Sequence, residues 1–113
     1  MLPKENRLRE KSDFRRVYIH KKSLANKQLV LYSRRNKSGT TRFGFSISKK
    51  VGKAHERNLL KRQLREIIRI DLVRIKEGYD YIFVVRAPLK ELDYQLKKKS
   101  VFNLLRKGNF LYE

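Results

Sequence analysis

The sequence predicts an α/β (α+β) two-layer sandwich in the order α-β-β-α-β-α, with a small mixed sheet and helices mainly on one face. Three features carry that reading. Apolar residues recur at helical spacing in three stretches, and three short β-rich stretches lie between them. Gly, Asn and Pro fall at the junctions. The 113 residues, 40% of them hydrophobic, are enough for one modest core, so a single domain over 1–113 is expected.

Residues 1–10 are polar and charged and read as a flexible arm. Ser12 is a suitable N-cap, with Asp13 in the first turn where the helix dipole favours an anion. Phe14, Val17, Tyr18 and Lys21 then follow at helical spacing, ending near Lys22 or Ser23. Gln28 to Arg35 reads as a strand, Asn36-Lys37-Ser38-Gly39 as a turn, and Thr41 to Ser48 as a second strand paired with the first in an antiparallel hairpin. Alternation puts Phe43, Phe45 and Ile47 on one face of that strand. Arg42, Gly44, Ser46 and Ser48 take the other, a face stripped of bulk as if something must approach the sheet.

Gly52 precedes a long helix expected from about His55 to Ile75, with Gly78 placed to stop it. The third strand, Asp80 to Arg86, contains Ile82-Phe83-Val84-Val85, a run that implies burial on both faces and a central position. Ala87-Pro88 ends it. The last helix is expected from about Glu91 to Arg106, with Leu92, Leu96, Val101, Leu104 and Leu105 as its apolar positions.

Charge then narrows the function. Lys and Arg number 30 against 11 Asp and Glu, a formal net charge of +19. Solubility needs a magnitude of only about 2–8 in a small domain. The excess calls for a polyanion, whose binding relieves self-repulsion and releases counterions. In the long helix, Arg57, Asn58, Lys61, Arg62, Arg65 and Arg69 share one side at roughly 100° per residue. Leu60, Leu64, Ile67 and Ile68 take an adjacent side, extended by Leu59 and Ile70. One face can dock on a core while the other offers cations to a phosphate backbone. An anionic membrane would demand an apolar, aromatic-anchored face on a helix not needed for the core.

Chemistry in the protein's own side chains is not expected. Cysteine is absent, and the two histidines, His20 and His55, lie among polar or charged residues. Neither HExxH, a P-loop, G-x-S-x-G nor metal-ligand spacing appears. Glu66 is placed to pair with Arg62 or Arg69. No secretory signal is legible, and the longest unbroken apolar run, Tyr81 to Val85, is too short to span a bilayer. A cytoplasmic location is expected, without membrane attachment or an obligate protein partner.

With these elements laid out, the chain resembles the protein subunit of bacterial ribonuclease P. The resemblance rests on Val51-(two residues)-Ala54-(two residues)-Arg57-Asn58-Leu59-Leu60-Lys61-Arg62-Gln63-Leu64-Arg65, preceded by Phe43-Gly44-Phe45-Ser46-Ile47-Ser48-Lys49-Lys50-Val51-Gly52. Ser12-Asp13-Phe14 with Val17-Tyr18, and Ser23-Leu24-Ala25-Asn26, match in the same order. The family often has a polar or basic residue where Leu59 stands, and another basic residue where Ala87 stands.

The resemblance implies a left-handed βαβ crossover and a protein that binds a catalytic RNA. That RNA uses Mg²⁺ to remove the 5′ leader of precursor tRNA, while the protein holds no cofactor of its own. Docking on the catalytic RNA would fall to Lys53, Arg57, Asn58, Lys61, Arg62, Arg65 and Arg69. Leader binding would fall to Phe14 and Tyr18 by stacking, to Arg42, Ser46, Ser48, Lys49 and Lys50 through the backbone, and to Arg86 at the edge. A structural, ribosomal-type RNA-binding protein is the alternative of another class. A DNA-binding architectural protein fits less well, because the basic helix lacks a helix-turn-helix partner.

Overall fold

Residues 2–112 are described by a computed structural model, and its layout follows from where the most apolar strand sits. The elements are α1 (Lys11–His20), β1 (Ser23–Ala25), β2 (Leu29–Arg35), β3 (Arg42–Ser46), α2 (Ala54–Ile70), β4 (Tyr79–Val85) and α3 (Tyr94–Lys107). Short 3₁₀ turns occupy Lys4–Asn6, Leu72–Arg74 and Ala87–Glu91.

The sheet order is β1-β2-β4-β3. β4 pairs antiparallel with β2 and parallel with β3, so the expected β2–β3 hairpin does not form. The reason is burial. Tyr81, Ile82 and Phe83 are fully buried, which only a central strand covered on both faces allows. β4 therefore inserts between the strands that precede it, and its parallel pairing with β3 needs a crossover, which α2 supplies. Asn36 shapes the connection that passes over the start of β4. Its Nδ2 donates to Thr40 O at 2.7 Å and to Asp80 Oδ1 at 2.9 Å, while its Oδ1 accepts from Gly39 N at 3.0 Å. Gly39 takes a left-handed φ of 77°, which glycine adopts without steric cost.

Two helices cover one face and the third covers the other. Leu29, Leu31, Phe43, Tyr81, Phe83 and Val85 pack with Leu60, Leu64, Ile67 and Ile68 of α2 and Val101, Leu104 and Leu105 of α3. Each such side chain contributes about 1.5–3 kcal/mol. Repulsion between exposed like charges at 4 Å in water is only about 1 kcal/mol. Apolar docking thus decides how α2 is seated, and its cations are carried along. On the opposite face Ile82 packs with Val17 of α1 and with Leu8, flanked by Phe14, Tyr18, Tyr32 and Val84.

Local boundaries depart from expectation where side chains found other partners. Residues 2–10 fold back instead of extending as an arm. Leu2 is fully buried, and Leu8 N donates to Phe43 O at 2.9 Å, so the segment lies along the outer edge of β3. Glu10 occupies the N-cap position of α1, and Ser12 lies inside the helix. α2 stops at Ile70, and Ile70 and Leu59 are about half exposed (51% and 48%), so neither extends its apolar band. Gly78 (φ 83°) forms the turn into β4 and does not cap the helix.

α3 begins at Tyr94, where Asp93 Oδ1 accepts from Leu96 N at 2.9 Å; Leu96 itself is exposed. β1, not among the three strands expected, is a strand of its own. Asn26 pins it: Oδ1 accepts from Leu29 N at 2.8 Å and Nδ2 donates to Ser100 O at 3.1 Å.

One polar group sits inside this frame. Asp80 is 1% exposed, at the row where β2, β4 and β3 lie side by side. Arg42 grips it with two hydrogen bonds of 2.9 Å, which raise the Arg42 pKa further, and also pairs with Asp13 of α1 at 3.5 Å. Arg42, which the resemblance assigned to the leader, is held in the structure by this ion pair. Removing one partner of a buried pair strands the other charge at a cost of about 3–5 kcal/mol. Arg42→Ala is therefore expected to lower stability by about that amount in urea unfolding. An unchanged midpoint would show that Asp80 is satisfied without it.

The entry into α2 depends on Glu56. Its Oε1 accepts from Lys53 N at 2.9 Å, and its other oxygen pairs with Lys90 at 3.2 Å. A Cβ on Gly52 would fall 2.8 Å from that carboxylate, so glycine makes the room. The Lys53 amide, then Lys90, hold the Glu56 carboxyl below the ordinary glutamate range. A depressed folded-state pKa gives stability above the unfolded pKa, lost as pH falls through the folded one. Glu56→Gln should thus have a lower Tm than the parent at neutral pH, with the two Tm values converging below about pH 4. A constant gap across that range would contradict the assignment.

Candidate nucleic-acid interface

Strand register sets out the sheet face that carries α1 in rows. Arg34, Asp80 and Arg42 form the first row; Tyr32, Ile82 and Gly44 the second; Val30, Val84 and Ser46 the third. α1 covers the first two. A Cβ on Gly44 would lie 2.5 Å from the Phe14 ring, so the bareness at Gly44 serves the seating of α1 and not the approach of an outside strand. Beyond α1 the third row is half-buried, and Arg86 and Ser48 at its far end are exposed. Val30, Val84 and Ser46 thus form a half-buried strip beside Phe14 and Tyr18 of α1, here called the cleft.

The aromatic row beside it is continuous. Phe14 and Tyr18 stand 6.4 Å apart, and Tyr32 meets Tyr18 edge-on at 4.9 Å. Burial pushes the Tyr18 hydroxyl above the usual phenol range, a shift its hydrogen bond with Ser46 partly offsets. Tyr18 and Ser46 are thus brought together, while Phe14 is anchored on Gly44 with one side open. Tyr32 belongs to this row and was missed by sequence reasoning. Alternation along β2 would have put it on the same face as Val30 and Arg34, but which helix covers that face was not legible.

The cations divide by partnership. Arg42 is engaged by Asp80 and Asp13, and Arg69 by Glu66 at 2.9 Å. Lys49, Lys50, Lys53, Lys61, Arg62, Arg65 and Arg86 make no ion pair among the described residues, and Arg57 only donates to Gly52 O at 3.1 Å. Exposed Asn58 and Arg62 flank half-buried Lys61 and Arg65 on one side of α2.

Arg7, which sequence reasoning placed in a free arm, comes near Arg65. Partial burial and the Arg7 charge both hold the Arg65 guanidinium below its ordinary pKa. Cations crowded without a carboxylate are a surface that gains when a phosphate arrives. On the other flank of α2, Gln63 accepts from buried Lys97 of α3 at 2.9 Å, so that side is closed by packing. The exposed loop Ser48-Lys49-Lys50 leads from the cleft at Ser46 to the start of α2, joining the two surfaces.

Among the described residues no group of three or more His, Cys, Asp or Glu could hold a metal ion, and no helix is long and apolar enough to cross a membrane.

Known proteins resemble this chain over nearly its whole length. The family model described as Ribonuclease P matches residues 2–109. A ribonuclease P protein component of Clostridioides difficile is 46% identical over 101 residues, covering 88% of this chain and 89% of that one. The Staphylococcus aureus RNase P protein superposes with a TM-score of 0.87 at 32% identity, covering 95% of this chain and 98% of that chain. The RNase P protein from Thermotoga maritima superposes with a TM-score of 0.82 at 34% identity, covering 89% and 96% respectively.

Proposed function

The chain belongs to the ribonuclease P protein family, the protein components of tRNA 5′ processing, and from that premise we propose how its two surfaces divide the work. The cationic flank of α2 docks on the catalytic RNA through Lys53, Arg57, Asn58, Lys61, Arg62 and Arg65, joined by Arg7. Arg69 sits at the end of that flank and trades its exposed Glu66 partner for phosphate at little cost. The cleft takes the 5′ leader of precursor tRNA. The observation that carries this division is the joining of the two surfaces by the Ser48-Lys49-Lys50 loop, which lets one protein hold structured RNA and an unpaired strand together.

The chemistry suits each ligand. A rigid row of cations fits structured RNA, which is recognised mostly through shape and phosphates. Leaders share no sequence, and stacking on Phe14, Tyr18 and Tyr32 tolerates any base at about 1–3 kcal/mol per base. Ser46, Ser48, Lys49, Lys50 and Arg86 then meet the leader's sugars and phosphates. Hydrolysis, with its Mg²⁺, belongs to the RNA in this reading, and the protein works as one RNA-binding domain in the cytoplasm. No observation favours a purely structural role.

The direct test is cleavage of a leader-bearing precursor tRNA by a bacterial ribonuclease P RNA at low Mg²⁺. Stoichiometric protein should stimulate it strongly, and the Arg57→Gln/Arg62→Gln/Arg65→Gln protein should not. That triple variant should keep its Tm and lower the log–log salt slope of RNA binding by about 2–3, at about 0.7–0.9 per lost contact. An unchanged slope would move docking off α2. Tyr18→Leu should reduce the preference for precursor over mature tRNA by roughly 5- to 150-fold, the equivalent of one stacked base. Full discrimination in that variant would return Tyr18 to a packing role.

A further inference from the structure

The basic and aromatic surface does not end at Tyr18. α1 closes at Lys21, whose backbone is left-handed (φ 62°), a conformation glycine would take at less cost. Lys21 lines two grooves at once. The first, about 560 Å³, holds Phe14 and Tyr18 with Arg9, Lys11 and Arg15. The second, about 600 Å³, lies past the end of α1, beside β1 and the end of β2. It wraps round the edge of β2, with Lys22 and Arg34 toward the α1 side and Arg35 on the other, beside Leu24, Tyr79 and Phe110, which pack against the α2–α3 core.

That second groove is built, not incidental. The Arg35 guanidinium lies 5.7 Å from the Tyr79 ring centroid, and Phe110 meets Tyr79 edge-on at 5.3 Å. Gly108 seats the Phe110 ring, which together with Leu24 fills the room a Cβ there would need. No acidic residue lines either groove, and Lys21, Lys22, Arg34 and Arg35 make no ion pair among the described residues. Four unpaired cations beside apolar and aromatic side chains match a chain with a charge at every residue and flat bases between.

We propose that this second groove binds single-stranded RNA, as the continuation of the leader track beyond Lys21. The proposal rests on the leader reading above. Arg34 and Arg35 lie at the opposite end of β2 from Gln28, the neighbour of Arg86. With the catalytic RNA docked at α2, a strand crossing the cleft passes Phe14 and Tyr18 first and turns round the edge of β2 at Lys21 into this groove last. The groove therefore takes the nucleotides furthest from the cleavage site, and affinity depends on leader length.

The test uses the full chain reconstituted with ribonuclease P RNA and precursor tRNAs carrying leaders of roughly 4 and roughly 15 nucleotides. Arg34→Gln/Arg35→Gln should weaken binding of the long-leader precursor about fivefold to tenfold and lower its salt slope by about 1.4, at about 0.7 per cation, with the short-leader precursor unchanged. Lys21→Gly should likewise weaken long-leader binding while its Tm stays level or rises, which a folding defect could not produce. Equal losses on both leaders, or none on either, would overturn the proposal. Tyr18→Leu separates the two readings. If it acts on both precursors while the arginine variants act on neither, the second groove alone fails. If it acts on neither, the leader reading fails and this proposal with it.

Discussion

Ile82-Phe83-Val84-Val85 can be kept from water only in the middle of a sheet with packed layers on both sides, and the arrangement of the molecule follows from meeting that need. With β4 central, β2 and β3 become its neighbours and not each other's. The parallel β3–β4 pair then requires a crossover, and α2 is the only long helix between them. The helix that carries the cations is thereby fixed on a rigid sheet by Leu60, Leu64, Ile67 and Ile68. α1 is left to cover part of the opposite face, and the part it leaves open is the cleft.

A second constraint is the shortage of acid. With 11 carboxylate residues against 30 cations, most cations cannot be paired, and the fold spends its carboxylates on structure. Asp80 holds Arg42 where three strands meet, and Asp13 ties Arg42 to α1. Glu56 closes the start of α2 and Asp93 the start of α3. Cations left without an ion pair among the described residues include those on the α2 flank, in the loop after β3 and around the end of α1. The electrostatic surface is in this sense the complement of the structural ion pairs. A cation's position in the sequence does not reveal which set it joins.

Arg42 and Phe14 illustrate the difference. Phe14 lies in a segment that resembles the family, Arg42 directly precedes another, and both looked like contacts to RNA. In the folded chain Arg42 also neutralises a buried carboxylate, and Phe14 also rests on Gly44, whose missing side chain is filled from within the protein, so each has a structural role the sequence did not show. Tyr32 and Arg7 show the reverse. Neither drew notice in the sequence, yet one completes the aromatic row and the other adds charge beside Arg65.

The sequence by itself determined the class of fold, the central place of the β4 run, the amphipathic split of α2 and the demand for a polyanion. Each is a matter of local periodicity or total charge, which the order of residues states directly. Tertiary structure alone decided that β4 separates β2 from β3 and that residues 2–10 fold onto the edge of β3. It also decided which cations keep a carboxylate partner. These outcomes depend on contacts between residues far apart in the chain, such as Arg42 with Asp80 and Leu8 with Phe43. Periodicity reports which face of an element is apolar and says nothing of the element that will cover it.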